Sequence, residues 1–173
     1  MLAKLILGLF LCFSITAIGQ DIFDIARSGT MDELKTFNEL HPNSLNIENN
    51  QGYTPLMLAA YHGNIETATY LVNHGADLNG ESKYGTPLMA AAIKGNAEIV
   101  RLLLSQGADL NKSDSNGTTA LLYASIFSLN EIAELLLKGG ADSKLKDIKG
   151  NTALDYAILT QNETLIKLLN QHQ

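Results

Sequence analysis

Four short strings in this chain repeat one another at an almost fixed interval. Thr54–Ala60 reads TPLMLAA, and TPLMAAA follows at Thr86–Ala92, thirty-two residues on. The pattern returns in weaker form as TALLYAS at Thr119–Ser125 and TALDYAI at Thr152–Ile158, each thirty-three residues after the last. A second set, LVNHGADLN, LLLSQGADLN and LLLKGGADS, ends at Asn79, Asn111 and Ser143 in the same rhythm. A period near 33 predicts a solenoid of stacked supersecondary units, each touching only its neighbours. Such an array offers a binding surface before it offers a catalytic pocket.

Each repeated position has a physical task. Threonine caps a helix, and proline suits the first turn, where its missing N–H costs nothing. Ala59-Ala60 and Ala91-Ala92 are small enough for one inner helix to lie close against the next. Gly63 and Gly95 fall between the two helices of a unit, where a left-handed residue is needed. Ile65–Val72 and Ala97–Leu104 place apolar residues at helical spacing and predict the outer helices. Gly75, Gly107 and Gly140 end those helices, and the Ala-Asp that follows turns the chain into a projecting hairpin or loop. Helices of seven to nine residues are marginal alone in water, so the fold exists only as an array.

The order G-x-T-P-L, A-A-x-x-G, L-L-x-x-G-A-D-x-N resembles the ankyrin repeat. Gly52–Leu56, Ala59–Gly63 and Leu71–Asn79 carry the resemblance best. It implies an all-α ankyrin-repeat solenoid of helix-turn-helix units with projecting β-hairpin or loop tips. The units are expected at about 21–48, 49–80, 81–112, 113–146 and 147–173, within one domain spanning 20–173. The first unit is degenerate, with Ile22–Gly29 as inner and Met31–Leu40 as outer helix. The last carries Gln161 at the turn glycine and closes on a polar tail, as a C-terminal cap requires.

Some positions depart from the family pattern. The histidine that usually follows Thr-Pro-Leu and ties repeats together is replaced by Met57, Met89, Leu122 and Asp155, so the units are expected to lean on packing. One residue is missing before Thr86, which predicts a shorter or differently bent tip. Ser128-Leu129 replaces glycine and a polar residue, which predicts an irregular inner turn there.

The first nineteen residues stand apart. Lys4, the fourteen-residue apolar run Leu5–Ile18 and the small-x-small box Ala17-Ile18-Gly19 read as a cleavable signal peptide cut after Gly19. The run is short of the roughly 20 residues of a spanning helix, so no stable membrane anchor is expected after cleavage. Leu11 before Cys12 argues against a lipoprotein site, and the sole cysteine leaves with the leader. The expected address is secreted or periplasmic. What remains carries 11 Lys+Arg against 18 Asp+Glu, a net charge of −7. That balance argues against nucleic acid and anionic membrane as partners.

No catalytic constellation stands out. The four histidines, His41, His62, His74 and His172, show no metal-ligand spacing, and neither Gly-x-Ser-x-Gly nor a Walker loop occurs. Ser143-x-x-Lys146 falls in an expected hairpin and lacks partner motifs. Asp77, Asp109 and Asp142 occupy turn positions. Asn111, Asn116 and Asn162 begin glycosylation sequons, which matter only in a eukaryotic secretory pathway. No enzyme activity, cofactor or metal is expected.

The family's partners meet the concave face, formed by the tips and the two residues after Ala-Ala. Here these are Arg27 and Ser28, Tyr61 and His62, Ile93 and Lys94, Ile126 and Phe127, Leu159 and Thr160. Solvated positions should be polar, yet five of these pairs' members, Tyr61, Ile93, Ile126, Phe127 and Leu159, are apolar or aromatic. Stacked in register they would form a strip of the kind that marks an interaction site. Tyr53 and Tyr84 add contact area at the tips. Tyr123 and Tyr156 fall at a framework position and are expected in the core. The resulting reading is a monomeric, non-enzymatic exported scaffold that binds another protein. The alternatives are an accessory factor for an oxidative-stress enzyme of the envelope, a small-ligand or haem carrier using His62, and a host-directed effector.

Overall fold

The structure is a computed structural model and describes residues 22–82 and 84–172. The expected leader and its cleavage position lie outside the described residues. Residues 22–28 are helical (α1), and nine helices follow: α2 (Met31–Leu40), α3 (Pro55–His62), α4 (Ile65–Asn73), α5 (Pro87–Lys94), α6 (Ala97–Ser105), α7 (Ala120–Ile126), α8 (Asn130–Lys138), α9 (Ala153–Leu159) and α10 (Glu163–Asn170). They form two layers. The inner row packs α3 on α5, α5 on α7 and α7 on α9, while the outer row runs α2, α4, α6, α8, α10. Each inner helix from α3 onward also packs on the outer helix that follows it.

The inner helices are sandwiched, and their sequences show why. Six of the eight residues in both α3 and α5 are buried, so these helices are apolar around most of their circumference. Ala59, Ala60, Ala91, Ala92 and Ala124 are fully buried where neighbouring backbones approach. The outer helices bury a single stripe, such as Ile99, Val100 and Leu103 of α6 or Ile132, Ala133, Leu136 and Leu137 of α8. Thr54, Thr86, Thr119 and Thr152 each accept a hydrogen bond from the N–H three residues on, at 3.2, 3.4, 3.3 and 3.3 Å. Asp155 completes a capping box by accepting from the Thr152 N–H at 2.8 Å.

Two expectations about regularity are corrected. The turn after α7 is regular. Ser128 takes the left-handed conformation (φ +56°), as Gln161 does after α9 (φ +54°), matching Gly63 and Gly95 at +76° and +71°. The same closing bond forms in all four places: Asn64, Asn96, Leu129 and Asn162 donate their N–H to the carbonyls of Ala59, Ala91, Ala124 and Ala157 at 2.8–3.0 Å. Backbone closure therefore dominates side-chain identity at this turn.

Nor do the helix pairs lean on packing alone. Asn46, Asn79 and Asn111 each accept, through Oδ1, the N–H of Asp77, Asp109 and Asp142 in the next pair, at 2.8, 2.8 and 2.9 Å. Asn64 and Asn96 donate from Nδ2 to the carbonyls of Gly29 and Ala60 in the preceding pair, at 3.2 and 2.7 Å. Asparagine supplies the polar tie that the missing histidines do not.

The tips are tight turns, and no strand forms among the described residues. Before α3, α7 and α9 the loop has three residues and ends in left-handed Gly52, Gly117 or Gly150. Asn49, Asp114 and Asp147 hold these loops, each accepting two backbone N–H groups through Oδ1 at 2.8–3.0 Å. The tip before α5 is shorter, as its missing residue predicts. Ser82 and Gly85 exchange a pair of backbone hydrogen bonds of 3.0 Å across a two-residue loop.

Candidate functional site

A groove of about 510 Å3 runs along the concave side from α1 to the tip before α7. Its floor comes from the inner row: Leu58 and Tyr61 on α3, Ala90 and Ile93 on α5, and Tyr123 on α7. Gln51, Tyr53, Tyr84 and Asn116 at the tips make one wall, and Arg27 and Asp114 stand at its two ends. The sides carry ordered aromatic contacts. Tyr53 and Tyr84 stack with ring centroids 5.0 Å apart, and His62 meets Tyr61 edge-on at 5.3 Å. Lys94 Nζ lies 4.7 Å from the centre of the Tyr61 ring, within cation–π range.

The fold therefore brings Tyr53, Tyr61, His62, Tyr84 and Ile93 to one groove, with Lys94 placed over Tyr61. It does not bring the rest of the anticipated strip into the same depression. Phe127, 52% exposed, adjoins the groove through Tyr123, their rings nearly parallel at 6.4 Å. Ile126 is half-buried. Leu159 lies farther along on α9, 69% exposed beside the exposed Ile158. The strip is thus two patches: Tyr61 and Ile93 line the groove with Phe127 beside it, and Leu159 stands apart on α9.

The two framework tyrosines, Tyr123 and Tyr156, pack against the core from its edge. Both are half-buried, with the hydroxyl directed at a tip carboxylate. Tyr123 donates to Asp114 Oδ2 at 2.5 Å, and Tyr156 donates to Asp147 Oδ2. Burial first, and then the Asp114 carboxylate, push the Tyr123 phenol well above its ordinary range. The hydrogen bond from Tyr156 is the main cause holding the Asp147 carboxyl below its ordinary value. Both tyrosines follow their aspartate by nine residues. That repeated spacing was the available signal for Asp114 and Tyr123, which sequence reasoning did not place at the site.

Among the described residues, no group of three or more His, Cys, Asp or Glu side chains is arranged to hold a metal ion. None of the described helices is long and apolar enough to cross a membrane.

Stacked helix pairs with an inner and an outer row define a helical repeat protein. The family description "Ankyrin repeats (3 copies)" matches residues 22–114 and 106–173, and the chain belongs to the ankyrin-repeat family. It is also similar to the Ankyrin repeat and SAM domain-containing protein 6 of Rattus norvegicus, with 43% identity over 59 residues. That similarity covers 34% of this chain and spans 7% of the rat protein's length. Ankyrin repeats generally mediate protein–protein interaction and are generally non-enzymatic.

Proposed function

We propose that this protein is a monomeric, non-enzymatic scaffold that is exported and holds one partner protein against its concave face and tips. The observation that carries the reading is the groove itself. Three consecutive inner helices contribute aromatic and apolar side chains to one depression that Arg27 of α1 closes, with Tyr61, Tyr84 and Phe127 exposed in or beside it. Exposed aromatic side chains in a partly enclosed setting are the usual anchors of protein interfaces. The export part rests on the leader-like residues 1–19, and the division of the array into five units rests on the sequence period.

A cross-linked capture from the producing cell, using residues 20–173 as bait beside an Ile93→Asp, Phe127→Asp double variant, tests the site. A partner captured by the parent protein and lost by a folded variant supports the concave face. Equal capture by both moves the site elsewhere. N-terminal sequencing of the protein from envelope and secreted fractions tests the address, and a chain that still begins at Met1 would overturn export.

A further inference from the structure

Four residues after each capping threonine, the inner helices carry Leu58, Ala90, Tyr123 and Tyr156. The last two positions are filled by a ring whose hydroxyl reaches a tip carboxylate. At Ala90 the same register holds only a methyl group, and Ala90 lines the groove at that point. A place that the chain fills with its own phenol in two successive helix pairs carries no ring in the pair before them, where the Ala90 methyl, 9% exposed, forms the groove floor. Tyr61 stands on one side of it and Tyr123 on the other, both lining the same groove. Aromatic walls favour an aromatic guest in offset or edge-on contact.

The ends of the groove differ in charge. Arg27, on α1, is paired with Asp24 at 2.6 Å, but both side chains are solvent-exposed, so that pair is readily exchanged for another carboxylate. At the far end, Asp114 Oδ2 accepts a hydrogen bond from the Tyr123 hydroxyl. A carboxylate oxygen has two lone pairs, which leaves capacity for a second donor.

We propose that the groove takes an extended partner segment with one aromatic side chain seated over Ala90, an acidic residue toward Arg27 and a basic residue toward Asp114. This deepens, and rests on, the reading of the concave face as the docking surface. Three steps between packed helices at about 8–10 Å each, spanned at about 3.3 Å per residue, correspond to a segment of roughly seven to nine residues. The opposite end charges fix which way the charge pattern lies, while the ring over Ala90 fixes its register.

A random twelve-residue peptide display, selected on the full chain, tests this. Enriched peptides should carry an aromatic residue between an acidic and a basic one. They should bind Ala90→Tyr, which fills the place as Tyr123 does in α7, at least tenfold more weakly, while Ala90→Ser binds like the parent. Circular dichroism and thermal unfolding confirm that both variants fold. Absence of enrichment, or equal binding to the parent and to Ala90→Tyr, overturns the proposal. Exchanging the acidic and basic residues of an enriched peptide should weaken it, and unchanged affinity overturns the charge assignment. Peptides lost by Ile93→Asp, Phe127→Asp but kept by Ala90→Tyr would leave the concave face standing and sink the aromatic seat. Peptides indifferent to every variant would sink both.

Discussion

Ser128 and Gln161 hold a left-handed backbone that glycine adopts without penalty, at φ +56° and +54°. A residue with a Cβ gives up about 1–2 kcal/mol there. Glycine returns part of this, roughly 0.5–1 kcal/mol, because its unfolded chain is freer. The net expectation is about 0.5–1 kcal/mol of added stability for Ser128→Gly and the same for Gln161→Gly. Both side chains are exposed, so little packing is lost. The sites lie in different helix pairs and should add in the double variant. Urea unfolding reads the effect as a higher midpoint at unchanged slope, and thermal unfolding as a rise of roughly 2–4 °C per kcal/mol. Ser128→Ala is the control, since it keeps the Cβ and removes only the hydroxyl. If alanine stabilised as much as glycine, or if neither glycine variant raised the midpoint, the backbone explanation would be wrong.

Further expectations can be checked with the same unfolding assays. Thr67 is fully buried in α4 and its hydroxyl finds no hydrogen-bond partner among the described residues, so Thr67→Val should stabilise by about 1 kcal/mol. Asn79→Ala and Asn111→Ala each remove a side-chain bond to the next helix pair and should cost about 0.5–1.5 kcal/mol; no loss at either position would mean the asparagine ties are incidental. A Cβ on Gly85 (φ +100°) would come within 2.3 Å of Met89 Sδ, so Gly85→Ala should cost about 1 kcal/mol or more, read as a lower midpoint. Glu33 and Asp155 are held below their ordinary values by the capping threonines, and Asp147 by Tyr156. Their contribution is complete above the ordinary values of 4.5 and 3.8, and it is lost as pH falls through the lower folded ones. Tyr156→Phe should reduce this acid-linked loss; an identical pH–stability curve would show that the Asp147 bond adds nothing.

Much of the architecture was legible because the repeat states it several times. Thr54, Thr86, Thr119 and Thr152 cap as their position requires, and the alanine pairs lie where inner helices meet. A single residue type misleads where the surrounding backbone decides the conformation. Serine at 128 looked like a broken turn, yet four closing hydrogen bonds at equivalent places show that the chain imposes the turn on whatever residue sits there. Loss of the family histidine looked like loss of polar connection, because asparagine in a turn does not announce that it will reach the next unit. For the site, exposure of individual positions was legible, but their separation into a groove and a distal patch was not. The tyrosine–aspartate contacts between helix and tip were equally hidden, because they join residues nine apart in different elements.

The two-residue tip between Ser82 and Gly85 shows where this chain can change length. The spacing of the preceding repeat falls from thirty-three to thirty-two residues, yet Asn79 still reaches Asp109 and Thr86 still caps α5. The deletion is absorbed entirely at the outermost point of the loop. Insertions at the same point should be equally tolerated, so new recognition sequences could be grafted there while the helices keep their pitch.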